Sequence, residues 1–210
     1  MRNCVLGLLF VLIAVPSVRA DEDPCAGEMM RHYENGGGQI GPNVRIKGNV
    51  YISSQARVCD NAVIMGNVRI MDYATVYDNA HVTGDQVVIT HNARVYGSSV
   101  VEGTAVIAGN SRVHGYARVT ESAFMQGHSQ AYENAWVHGN AKLENSGQVF
   151  GNAEVFGDAG VSSNGKVYGE AKVGGRVKVG LHVQIRGRAI LTGGINLSGN
   201  PVNDAIIESF

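Results

Sequence analysis

The sequence predicts an all-β fold built as a solenoid of stacked coils, and three observations carry that expectation. From Val44 to Asn200 the residues repeat every six positions, with one extra residue placed at Gln86. The third hexad position is Val or Ile in 21 of 26 cases, and the first is Ala, Ser or Gly in 19 of 26. The fifth and sixth positions are mostly Gly, Asn, Asp or Ser. In an extended segment, positions one and three point to the same side. β-Branched residues suit strands, and Gly, Asn, Asp and Ser supply turn conformations. Each hexad is therefore a short strand and a corner. Alone it cannot bury its apolar edge, so coils must stack into a continuous core. A helix is excluded, because the apolar period is six with Gly recurring at the corners.

The elements follow in order. Residues 1–20 read as a secretory signal peptide. Arg2 supplies a positive start, Val5 to Val15 is an apolar run, and Val18-Arg19-Ala20 places small residues at the cleavage-determining positions. The run is too short to span a bilayer, so no membrane insertion is expected after cleavage. Residues 21–43 form an N-terminal cap segment. Asp23 to Glu34 is expected to be a short helix, with Asp23 at its N-cap and Gly36-Gly37-Gly38 ending it. The mature chain keeps Cys25 and Cys59. In a secreted or periplasmic protein that even pair predicts one disulfide, tying the cap to the repeat. Residues 44–200 are the repeat. Residues 201–210 are expected to cap the other end, with Ile206, Ile207 or Phe210 turned inward. Uncapped β ends would invite end-to-end association, so a self-assembling structural protein is one reading.

The hexads Ala93-Arg-Val-Tyr-Gly-Ser, Ala135-Trp-Val-His-Gly-Asn and Ala153-Glu-Val-Phe-Gly-Asp, with Ile40-Gly-Pro-Asn-Val-Arg-Ile-Lys-Gly-Asn-Val before them, resemble the hexapeptide-repeat proteins. The resemblance spans about three-quarters of the chain. It implies a left-handed parallel β-helix with three hexads per triangular coil. The left hand comes from the resemblance alone, since general chirality rules favour right-handed crossovers. With 18 residues per coil the 26 hexads make about 8.7 coils, a prism about 40 Å long at the usual strand spacing. The resemblance also implies that a homo-oligomer, commonly a trimer, is to be expected.

Outward side chains occupy hexad positions two and four, and sorting them by coil gives three faces. The first is mixed, with Arg45, Val63, His81, Val100, Arg118, Trp136, Glu154 and Lys172 at position two. The second is apolar in its middle. Val88, Val106 and Phe124, flanked by Val63 and Val100, suggest a contact between subunits. The third is the most ordered. Position four runs Cys59, Tyr77, Tyr96, His114, Tyr132, Phe150, Tyr168 and Arg186. Beside it, position two runs Arg57, Thr75, Arg94, Arg112, Gln130, Gln148, Lys166 and Gln184. Stacked coils would set an aromatic ladder next to a cationic and amide ladder. Such rings can simply stack on one another. They can also offer a flat strip, with aromatic faces for sugar rings and Arg and Gln donating along a polymer. The partner would then be a cell-envelope polysaccharide or a protein.

Composition restricts the alternatives. Formal net charge is −1, and loss of Arg2 and Arg19 leaves 15 basic against 18 acidic residues, about −3. Broad electrostatic capture of nucleic acid is not expected. Gly at 28 of 210 residues, without a G-X-Y period and with 4 Pro, excludes collagen. The resembled proteins include acyltransferases with a His general base. His81, His91, His114, His128, His138 and His182 are candidates by type, but none sits in a loop excursion. They also include γ-class carbonic anhydrases with three His on zinc. His91 and His128 lie about two coils apart, but Glu133 stands where a third ligand would follow. No face carries a Thr array for ice binding, and no phosphate loop, nucleophile elbow or CxxC motif occurs. No catalytic residue, metal or cofactor is assigned, and the expected role is a non-catalytic scaffold or recognition module.

Overall fold

The computed structural model describes residues 23–197 and 206–209. The expected signal peptide, residues 1–20, and Phe210 lie outside the described residues, as does the side chain of Ile206. Among the described residues the chain is all-β, with 26 strands and no helix. Most strands are two residues long and hold hexad positions two and three, as in Arg94–Val95 and Arg112–Val113. Each pairs in parallel with its counterpart one coil on. Arg94 lies against Arg112, then Gln130, Gln148 and Lys166 follow in register. The result is a β-solenoid of about nine turns.

Eleven strands form the third face. The first and second faces merge into one 15-stranded sheet, because Arg45–Ile52, Val63–Ile70 and His81–Ile89 run through the corner between them. The extra residue of the repeat is absorbed there. Gly66 pairs with Gly84 but Val68 pairs with Val87, and the register shift between them is a bulge. Every coil after it regains the hexad phase.

The core is one column. Every third-position side chain from Ile52 to Ile185 is fully buried, and the small first-position residues lie beneath them. Burying one such Val or Ile stabilises the chain by about 1.5–3 kcal/mol. Where the first position is Ser, its hydroxyl is satisfied locally. Ser111 Oγ donates to the carbonyl of Ala108 at 2.6 Å and lies 3.1 Å from Ser129 Oγ, and Ser99 Oγ donates to the carbonyl of Val113.

The fifth position turns each corner through the left-handed backbone region. At Gly139 (φ 70°) an added Cβ would lie 2.7 Å from the nitrogen of Gly157 in the next coil, so only glycine fits without displacement. Other corners use a carboxylate instead. Asp60, Asp78 and Glu133 adopt φ of 55–59°. Their side chains accept the backbone N–H groups of Asp78, Gly97 and Gly151 one coil on, at 2.9, 3.0 and 2.8 Å. Glu28 of the cap extends this series downward by accepting from the N–H of Asp60 at 3.1 Å.

The N-terminal cap differs from expectation. Asp23–Glu34 is not a helix but a turn followed by a strand, Arg31–His32, which pairs antiparallel with Gln39–Ile40. Asp23 does cap, accepting from the N–H of Cys25 at 3.1 Å, but the chain turns instead of winding on. The reason is competition from the open solenoid edge. Asn35 supplies a carbonyl to the N–H of Ile52, Gly38 donates to the carbonyl of Ile52, and the Asn35 amide donates to the carbonyl of Val50. A helix would have left that edge unpaired. Cys25 and Cys59 are bonded, with Cα atoms 5.7 Å apart. At the other end, Ile206–Ser209 adds a parallel strand beside Gln184–Gly187, and Ile207 is half-buried against the core.

Two outcomes test this architecture. Val119→Asp places a charge, with no partner, between Val101 and Val137. It should abolish the β circular dichroism signal and solubility. A soluble, folded variant would show the hexad register to be wrong. Reduction of Cys25–Cys59 should lower stability by about 3–4 kcal/mol, the chain-entropy value for a loop of this length, read as a drop in thermal midpoint with added reductant.

Candidate binding face

The third face gathers the side chains singled out in the sequence. Position-three residues point inward on each two-residue strand, so positions two and four flank them outward. Parallel pairing then superposes like on like. Tyr77, Tyr96, His114, Tyr132, Phe150 and Tyr168 form one unbroken stack of six rings. Successive centroids are 4.8, 4.8, 5.1, 4.8 and 4.7 Å apart, with planes within 3–7° of parallel. Ring spacing simply equals coil spacing. Each pair contributes about 0.5–1.5 kcal/mol beyond its buried area.

This geometry corrects one expectation. The ring faces are consumed by neighbouring rings, so they are not free to receive sugar rings. The ladder offers ring edges and, at Tyr77, Tyr96 and Tyr132, phenol hydroxyls. Burial raises the pKa of all three phenols, so they remain protonated donors through neutral pH. Tyr168 is used internally, its hydroxyl donating to Gln184 Oε1 at 3.0 Å. The foot of the ladder is closed, since Cys59 is fully buried in its bond to Cys25.

Position two of the same face carries Arg94, Arg112, Gln130 and Gln148 beside the rings. Arg57, lower in that column, is already paired with the Asp23 carboxylate. Among the described residues, Arg94, Arg112 and Lys166 have no carboxylate partner. The corner acids Asp78 and Glu133 hold backbone N–H groups.

The histidines considered for catalysis are dispersed. His91 is at a corner with its N–H on Asp72, and His128 lies 3.4 Å from the Asn110 amide. Among the described residues no three His, Cys, Asp or Glu side chains are grouped to hold a metal.

Sequence reasoning passed over one cluster on the first face. His138 stacks between Trp136 (4.0 Å) and Phe156 (5.6 Å), and its Nε2 lies 3.0 Å from Glu154 Oε1. Lys172 Nζ reaches Glu154 Oε2 at 2.7 Å, and Arg118 lies over the Trp136 ring. Burial would raise the Glu154 pKa, but the hydrogen bonds from Lys172 and His138 outweigh it and hold the carboxyl below its usual range. These residues satisfy one another. The signal was available, because positions two and four of adjacent coils always touch. On the second face, Val88, Val106 and Phe124 stand in register as one half-buried column.

No family of known proteins, no curated protein and no solved structure matches this chain.

His114 is the one ring of the ladder with an imidazole. Burial, reinforced by Arg112, lowers its pKa below the ordinary 6.5. The unfolded chain therefore takes up this proton more readily than the folded one. The stabilisation is complete above pH 6.5 and is lost as pH falls through the lower, folded value. His114→Phe keeps a ring in the stack and removes the proton. Its thermal midpoint should fall less than that of the wild type between neutral pH and mildly acidic pH, and equal falls would refute this account.

Proposed function

We propose that this chain is a non-catalytic recognition module or scaffold of an oxidising compartment, secreted or periplasmic, that holds an extended cell-envelope polymer along its third face. One observation carries the reading. A rigid rod presents phenol hydroxyls, guanidinium groups and amides in two straight columns, each repeating at one coil spacing. A regular polymer lying along them can meet a donor at every coil. The signal-like segment and the Cys25–Cys59 bond support export, because such bonds persist outside the reducing cytosol. The hexad register agrees with the hexapeptide-repeat resemblance, to which the left-handed winding belongs. The apolar column of Val88, Val106 and Phe124 fits a contact between copies, the trimer that the resemblance implies.

The double variant Tyr96→Phe with Tyr132→Phe tests the strip. It keeps every ring stacked and removes two hydroxyls. Its thermal midpoint should stay near the wild type, while retention on cell-envelope polysaccharide should weaken about tenfold, as for two lost hydrogen bonds. Unchanged retention would place binding elsewhere.

A further inference from the structure

The third face has a charge asymmetry that its hydrogen-bonding capacity alone does not require. Outward positions two and four of the hexads carry Glu102 and Glu154 on the first face and Glu144 on the second, but no carboxylate on the third, and several cations of the other faces are engaged. Lys172 pairs with Glu154, Arg188 with Glu170, Arg118 lies over Trp136 and Arg69 over Tyr51. On the third face, Arg94, Arg112 and Lys166 line up in one column and meet no carboxylate among the described residues. Three cations in one column without a contacting carboxylate make the flat of this face locally positive, while the corner acids Asp78 and Glu133 at its margin hold backbone N–H groups.

Two depressions interrupt this face, and they differ in charge. The lower one, about 350 Å³, is lined by Asp23, Gln39, Ser54, Gln55, Arg57, Tyr73 and Thr75. Its cation is neutralised by the chain itself, through Asp23 on Arg57. That pair shows how a carboxylate seats on this column. The upper one, about 310 Å³, is lined by Gln148, Asn164, Lys166, His182 and Gln184. It has a cation, Lys166, and no acid in its lining. Gln184 gives its carbonyl oxygen to Tyr168, which leaves its amide hydrogens for a ligand.

Resting on the strip reading above, we infer that the ligand of the third face is an acidic polysaccharide, with one carboxylate or sulfate seated in the notch of Lys166 and His182 and others met by Arg112 and Arg94. Lys166 lies three coils beyond Arg112, about 14 Å at the usual strand spacing. A single small anion cannot bridge that distance, whereas a chain carrying repeated acids can. Nucleic acid is the other polyanion. It fits less well, because base recognition on single strands needs open aromatic faces, and here the ring faces lie against each other.

The test uses the mature chain in affinity electrophoresis and calorimetry against polygalacturonate, heparin, neutral dextran and an oligothymidylate. Binding should favour polygalacturonate or heparin over dextran and should weaken with added salt. Lys166→Gln and Arg112→Gln should each weaken it about tenfold, the value of a hydrogen bond to a charged group. Arg118→Gln, on the first face, should leave it unchanged. Dextran bound as tightly as the acidic polymers, with Tyr96→Phe/Tyr132→Phe still weakening it, overturns the acidic ligand and leaves the strip. Oligothymidylate bound most tightly assigns the face to nucleic acid and overturns the proposal. Binding that no third-face variant alters, or no binding to any of the four polymers, overturns both the ligand and the strip.

Discussion

Parallel pairing of each coil with the next is the constraint from which the rest of this molecule descends. Backbone N–H groups donate to carbonyls one coil on, from Gln39 to Ala56 at the base through Lys178 to Ile195 near the top. That ladder sets one repeat distance for everything attached to it. Core Val and Ile stack because the backbone stacks. A corner takes glycine where, as at Gly139, a Cβ would strike the backbone nitrogen of the next coil. Even the one extra residue is confined to a bulge, since a register error carried onward would turn every inward side chain outward.

The third face is a direct consequence. A repeat distance near that of stacked aromatic rings makes a column of Tyr, His and Phe a continuous stack. The stack rigidifies the face and withdraws the ring faces from use. What remains for a ligand is the edge of the ladder and the polar column beside it. The corner carboxylates matter here too. Asp78 and Glu133 stand at the corners beside the strip and accept the backbone N–H groups of Gly97 and Gly151, and neither pairs with a cation of the face. A structural demand at the corners thus shapes the electrostatics of the flat face between them.

Much of this was legible in the residues. The hexad pattern located the buried column, the position of the bulge and the membership of all three faces, because side-chain direction in short strands depends only on position within the repeat. The Cys25–Cys59 bond followed from cysteine number. The cap was misread. Asp23 as an N-cap with Gly36-Gly37-Gly38 as a stop resembles a short helix, but the open edge at Val50–Ile52 recruits Asn35 and Gly38, and local propensity yields to unpaired backbone groups. The cluster of Trp136, His138, Glu154 and Lys172 was also missed, since its members look unrelated until adjacent coils are laid together.

Sequence by itself determined the all-β solenoid, the inward and outward side chains, and the ladder of the third face. These depend on a period, and a period is a one-dimensional property. Tertiary structure decided what the ladder offers. Only there do the rings close on one another, does Asp23 neutralise Arg57, and is Lys166 left in a notch without an acid. Contacts of that kind depend on distances between coils and on which groups are already partnered, and neither is written in the order of residues along one chain.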